Sequence, residues 1–227
     1  MPENLTIISV GGSLIVPDKV DTVFLKSFKD LIIKFIKKGK RFIIVCGGGR
    51  TARNYQEAAR NLGNLRKNDI DWLGIFGTII NANLLRAVFY KFSHPKVISN
   101  PSEKIDFKEK ILIASGWKPG FSTDYGTVLL TKKFKTKRIV NLTNIDYVYN
   151  KDPKRFKDAK PIEKISWTDF RRLLPRKWRP GLNSPFDPVA SKEAEKAGIE
   201  VVILNGKKIK NLENYLLGKK FFGTIIK

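Results

Sequence analysis

The sequence predicts an α/β protein whose parallel sheet is covered by helices on its faces, and three observations carry that reading. Short apolar, β-rich runs recur at Leu5 to Val10, Phe42 to Cys46, Ile111 to Ser115, Arg138 to Leu142 and Glu200 to Leu204. Segments of helical spacing lie between them, which favours strands joined by crossovers rather than hairpins. Several runs end in polar loops, two of them rich in glycine, as strands do at the carboxyl edge of an open parallel sheet.

Leu5 to Val10 is the first strand, and Gly11-Gly12-Ser13 turns the chain at its end. Val23 to Lys38 reads as an amphipathic helix, with Phe24, Phe28, Leu31, Ile32, Phe35 and Ile36 on one face. Gly39 stops it in the position a helix terminus favours. The strand Phe42 to Cys46 then runs into Gly47-Gly48-Gly49, and a helix opens at about Arg50. A strand, a glycine turn and a helix start leave backbone N–H groups at the positive end of a helix dipole, and glycine lets a phosphate come close. Arg53, one turn into that helix, offers a fork of donors to the same anion.

Ile70 to Phe92 is a long helical segment with Asp71 near its beginning. The strand Ile111 to Ser115 leads into the loop GWKPGFSTDYG, and a helix starts at about Asp124. Arg138 to Leu142 is followed by TNIDYVYNKDPKRFKDAKPI, and Ser166 to Leu174 is a helix capped near Ser166 or Thr168. Pro175 to Pro188, rich in proline and arginine, is expected to be a mobile loop. Val189 to Ala197 is a helix ending at Gly198, and the strand Glu200 to Leu204 meets the turn Asn205-Gly206. A short helix over Leu212 to Leu217 and the segment Phe222 to Ile226, carrying Gly223-Thr224, close the chain. Without repeats or a low-complexity linker, residues 1–227 are expected to form one domain.

Composition narrows the class. Hydrophobic residues at 42% and charged residues at 29% fit a globular protein, and no apolar run reaches membrane-spanning length. A single cysteine, Cys46, excludes an internal disulfide framework and fits the cytoplasm, while a single histidine, His94, is too few for a zinc site. No metal ligand set is expected from the protein itself. Lys and Arg number 44 against 21 Asp and Glu, a formal charge of +23. Scattered in many small groups, these cations read as a solvated basic shell, with nucleic-acid binding the less favoured alternative.

The glycine loop alone leaves the ligand open. It also fits a dinucleotide fingerprint through Gly47, Gly49 and Ala52, with Asp69 and Asp71 downstream, and it is no Walker loop because no G-K-[ST] ends it. A second glycine turn, at Gly11 to Ser13, suggests two phosphate groups held close together, as phosphoryl transfer requires.

At this level of detail the chain resembles the amino acid kinase family, and within it the archaeal-type branch of the uridylate (UMP) kinases. VGGSLIVP, CGGGRTARNYQEAAR, GWKPGFSTD, TNIDYVYNKDP and the final GTII match that family's segments in order, from about residue 7 to 226. The resemblance implies a three-layer αβα sandwich with a mainly parallel central sheet, and transfer of the ATP γ-phosphate to UMP with Mg2+. By position it places Gly12, Ser13, Gly49 and Arg53 on the ATP phosphates, and Thr143, Asn144, Tyr149 and Asp152 around the ATP nucleoside. Gly48, Asp71, Trp117, Lys118, Pro119, Gly120, Phe121, Ser122 and Thr123 would meet UMP, and Asp124 would organise the charges around the moving phosphoryl group. A homo-oligomer, a hexamer built from dimers, is also implied. The chain departs from the family pattern at Ser9, where many members carry lysine; at Arg50, where the branch carries lysine; at Ile79, which takes the place of an arginine; at Tyr147, which replaces glycine; and over 183–187. With Ser9 in place of lysine, Arg50 is the expected transition-state cation and Lys118 the alternative. Another small-molecule kinase of the family, or a nucleotide-binding protein without turnover and with an RNA-associated surface, are the competing readings; a dehydrogenase is less favoured.

Overall fold

Parallel pairing organises the sheet, because each strand of the first half is followed by a helix that carries the chain back to the same edge. The computed structural model describes residues 4–153, 155–174 and 184–227. Strand β1 (Leu5–Val10) pairs in parallel with β2 (Arg41–Cys46) on one side and β4 (Arg138–Thr143) on the other. Strand β3 (Ile111–Ala114) flanks β2, and β8 (Glu200–Asn205) flanks β4, all parallel. The sheet order is β3-β2-β1-β4-β8-β9-β7, in which β9 (Thr224–Ile226) runs antiparallel to β8 and parallel to β7 (Lys164–Ile165). The expected mainly parallel sheet with helices on both sides is therefore the architecture observed.

Two faces bury the sheet. Helix α2 (Thr22–Ile36), started by the Asp21 carboxylate accepting from the Phe24 N–H at 2.9 Å, lays its apolar stripe against one face. Phe28, Ile32 and Phe35 are buried there beside Ile8, Val10 and Ile44. Each such side chain stabilises the fold by about 1.5–3 kcal/mol. On the opposite face lie α5 (Thr123–Lys133), α6 (Trp167–Leu173) and α7 (Pro188–Lys196), which cover Ile139, Val201 and Ile203 with Val128, Phe170 and Ala190. A third cluster packs Ile7, Ile43 and Leu112 under Phe107 and Leu130.

Several boundaries differ from expectation. Gly11-Gly12-Ser13 does not end as a turn but winds into a single-turn helix, α1 (Gly12–Ile15). The long helix, α4, runs Lys67–Val88, starting one turn earlier and stopping before Phe92, where Phe89 to Phe92 form turns instead. Strands β5 (Val148–Tyr149), β6 (Pro161–Ile162) and β7 escape the sequence patterns, since two-residue strands have no period to read. Helix α3 (Gly49–Asn61) opens where expected, and α8 (Ile209–Leu216) precedes the last strand. Of the loop expected to be mobile, 175–183 lies outside the described residues; 184–187 is ordered and leads into α7.

Candidate active site

The loops that follow β1, β2, β3 and β4 meet at one edge of the sheet and enclose a cleft of about 320 Å3. Its floor is two glycine loops locked backbone to backbone. The Gly11 N–H donates to Leu142 O at 2.8 Å, Gly47 N–H to Val10 O at 2.9 Å, and Arg50 N–H to Val16 O at 2.9 Å. A Cβ on Gly12 would overlap the amide nitrogen of Gly49, and one on Gly49 would overlap the Gly12 carbonyl. Gly49 also has φ +59, a conformation side chains disfavour. Glycine is thus required here for close approach.

Helix α4 braces this floor. The buried Asn81 donates from Nδ2 to the carbonyls of both Gly47 and Gly48, at 2.8 and 2.9 Å. Thr78 Oγ1 accepts from Gly116 N–H at 2.7 Å and donates to Ile75 O at 2.7 Å, fixing the exit of β3. Asp71, five residues into the helix and so no cap, accepts from Gly120 N–H at 3.1 Å. Gly77 packs so close to Ala52 of α3, and Gly74 so close to Gln56, that a Cβ at either would collide.

Asp124 sits across the cleft. It does not cap α5, because Ser122 Oγ already accepts from Tyr125 N–H at 3.1 Å. Its Oδ2 instead accepts from the Asp187 N–H at 3.0 Å, and the Ser9 side chain hydrogen-bonds it as well. Burial pushes the Asp124 carboxyl up to about 7, and the neighbouring Asp187 carboxylate adds to the rise, against the opposing effect of those two hydrogen bonds. Asp187 caps α7, Oδ1 accepting from Ala190 N–H at 2.7 Å, and Asn141 Nδ2 donates to Pro185 O at 2.9 Å, so the segment before α7 is tied to the sheet.

Gly12, Ser13, Gly48, Gly49, Arg53 and Asp71 all line the cleft, as do Lys118, Pro119, Phe121, Ser122, Thr123 and Asp124, with Thr143 and Asn144 on the far side. Thr143 also closes its own loop, Oγ1 accepting from Ile145 N–H at 3.1 Å. Five expected positions, Arg50, Trp117, Gly120, Tyr149 and Asp152, stand outside the lining. Arg50, expected to fold back toward the phosphates, instead turns along α3, where Glu57 of the same helix pairs with it at 3.6 Å. Tyr149 and Asp152 lie beyond the lining: Tyr149 is held in the β5–β6 hairpin with its ring against Tyr147, 6.5 Å between centroids, and the Asp152 carbonyl is engaged by the Arg155 and Phe156 N–H groups. Trp117 joins a ladder Trp117–Phe121–Tyr125 with centroid spacings of 5.3 and 4.9 Å, whose middle ring lines the cleft. Gly120 contributes its N–H to Asp71 and not a surface. Lys118 Nζ rests 4.2 Å from the Trp117 centroid and 5.2 Å from that of Phe121. Ser9, Gln56, Thr78, Asn141 and Asp187 also line the cleft, and sequence reasoning did not assign them roles. For Thr78 the signal is its place beside Ile79, which departs from the family pattern; for the others the partners are too distant in sequence.

An αβα fold whose cleft of about 320 Å3 lies over two interlocked glycine loops is an arrangement suited to holding phosphate groups. The chain belongs to the amino acid kinase family, whose model matches residues 4–205. It is 33% identical over 216 residues to the uridylate kinase of Sulfolobus acidocaldarius, covering 92% of this chain and 93% of the relative. Against the uridylate kinase of Hyperthermus butylicus it is 32% identical over 228 residues, covering 100% and 99%. The crystal structure of uridylate kinase from Archaeoglobus fulgidus superposes with a TM-score of 0.80 at 27% identity, over 99% of this chain and 100% of that one.

Proposed function

We propose that residues 1–227 act as one domain that transfers the γ-phosphate of ATP to UMP, giving UDP and ADP. The observation that carries this reading is the cleft itself, in which two interlocked glycine loops face an aspartate-anchored acceptor loop, in a chain similar to uridylate kinases along its length. Gly12, Ser13 and Gly49, with Arg53, receive the ATP phosphates, and Thr143 and Asn144 its nucleoside. Gly48, Asp71 and the loop 117–123 receive UMP. An oxygen of the UMP phosphate attacks the γ-phosphorus as the bond to the β,γ-bridging oxygen breaks, so the reaction needs position and positive charge and no nucleophilic side chain.

Among the described residues no group of three or more acidic, His or Cys side chains could hold a metal ion. Mg2+ fits this cleft as a partner of the nucleotide phosphates, with Asp124 and Asp187 the carboxylates able to meet it through water. When bound, it would neutralise charge on the phosphates. Lys118 takes the role of protein cation in place of Arg50, since it lines the cleft; its ammonium rests on the Trp117 and Phe121 rings and would turn from them to meet the phosphates. Lys118→Ala is expected to lower kcat about 10²-fold, the scale of one lost transition-state contact, while Arg50→Ala stays within about threefold of the parent; steady-state turnover at saturating substrates reads both. Coupled ADP-release assays with UMP, CMP, carbamate, amino acids and isopentenyl phosphate test the acceptor. UMP is expected to be the preferred one, and ATP binding without any turnover would leave only a nucleotide-binding role.

For assembly, we propose a homo-oligomer that uses the outward face of α4. Helix α2 spends its apolar stripe inside the subunit, whereas Trp72, Phe76 and Ile80 recur every four residues on α4 and stand exposed. Phe76→Glu is expected to convert the oligomer to a smaller species in light scattering, and a monomeric parent would dismiss the surface. No helix among the described residues is long and apolar enough to cross a membrane; the reading places the enzyme in the cytoplasm.

A further inference from the structure

The basic groups that look scattered along the chain are gathered by the parallel topology. Strands β1, β2 and β4 all begin at the edge opposite the cleft, so Lys38 and Lys40 before β2, Lys135 and Lys137 before β4, and Arg138 at its first residue reach that edge together. The antiparallel β9 ends there, delivering Lys227. This edge also contains a cavity of about 900 Å3, against about 320 Å3 for the cleft. Phe35, Phe42, Val140 and Ile199 give it a buried apolar floor, and Lys40, Lys137, Arg138 and Lys227 line it too.

The acids nearby are already engaged. Glu200 pairs with Arg138 at 2.5 Å and Glu195 with Arg171 at 3.0 Å. The exposed ammonium groups of Lys137 and Lys227 have no ion-pair partner among the described residues, and they flank Glu200 on adjacent strands: Glu200 N–H donates to Lys137 O at 2.9 Å, and the neighbouring Val201 is in register with Ile226. An apolar floor under cations suits a ligand with an apolar body and an anionic end.

We propose that this cavity is a second ligand site, distinct from the active-site cleft, that binds an amphipathic phosphate: an apolar or aromatic body on the floor and a phosphate against Lys137 and Lys227. A small molecule is favoured over a nucleic-acid strand because the cavity is concave and its aromatic side chains Phe35, Phe42 and Trp167 are buried, leaving only the half-buried Tyr215 and no exposed row to stack on successive bases. The phosphate chemistry has two sources, a mononucleotide or a lipid-like alkyl phosphate.

Titration calorimetry of the full chain with adenosine 3′,5′-bisphosphate and, separately, with decyl phosphate distinguishes them. At least one is expected to bind, with affinity falling as salt rises. The variant Lys137→Glu/Lys227→Glu, altered only at exposed side chains, is expected to weaken that binding at least tenfold. Its turnover with ATP and UMP should stay within twofold of the parent, and its circular dichroism should be unchanged. Absence of binding by both compounds overturns the proposal, as does equal binding by parent and variant, which would place the ligand in the cleft. An RNA oligonucleotide retained by the parent when neither small phosphate binds overturns it as well.

Discussion

Asp124→Asn is expected to lower turnover with ATP and UMP by roughly 10²–10³-fold while making the folded chain more stable at pH 8. The two effects share one cause. The Asp124 carboxyl sits between the buried end of β1 and the Asp187 loop, and its folded value is raised to about 7. The unfolded chain holds the same group near the usual value of about 4. Below that value the group is protonated in both states and contributes nothing. Between about 4 and 7 the unfolded chain ionises while the folded one resists, so stability is lost as pH rises, and above about 7 the loss is complete. Asparagine carries no such cost, and it preserves an oxygen to accept from the Asp187 N–H. Allowing for the part of Asp124 that remains open to the cleft, the gain at pH 8 is about 1–3 kcal/mol. Thermal unfolding at pH 5 and pH 8 checks it: the advantage of the variant should widen at the higher pH. A variant less stable than the parent at pH 8 would show that the hydrogen bonds outweigh the burial.

Gly12→Ala is expected to lose at least about 100-fold in kcat/KM, the scale of misplacing reactive groups by about an ångström. The new methyl would occupy the position of the Gly49 amide nitrogen, so the loops after β1 and β2 must part. Because both loops line the same cleft, the displacement affects the whole phosphate floor. Gly39→Ala is the control: its φ of +83 is unfavourable for alanine, yet nothing lies within 4 Å of the added carbon. It should cost about 1 kcal/mol of stability and leave turnover intact. Turnover and unfolding of both variants separate loss of geometry from loss of fold.

The parts of this molecule legible in its sequence are those governed by neighbours along the chain. β-rich runs placed β1, β2, β3, β4 and β8 within a residue of their observed ends, since a buried strand must be apolar whatever surrounds it. Glycine-bearing strand ends located the cleft because close backbone approach leaves a compositional trace. Side-chain direction left none. Arg50 and Lys118 are both cations beside functional loops; which one lines the cleft depends on Glu57, two turns along the same face of α3, and on two aromatic rings. The Ser9–Asp124–Asp187 contact joins positions more than sixty residues apart at each step, beyond any periodic signal. The gathering of cations opposite the cleft was equally hidden, because strand order, not spacing along the chain, decides which lysines become neighbours.

The packing of α3 on α4 determines where this enzyme can bend. Gly77 against the backbone of Ala52 holds the two helices in close contact, and Asn81 fastens the pair to the glycine floor. Arg53 and Asp71 therefore ride on one stiff plate. Any closure around bound nucleotides is expected to hinge elsewhere, on the side of the cleft carrying Thr143 and Asn144. In hydrogen–deuterium exchange the amides of both helices should slow and open together as one cooperative unit, while the β5–β6 hairpin exchanges independently and responds most to nucleotide.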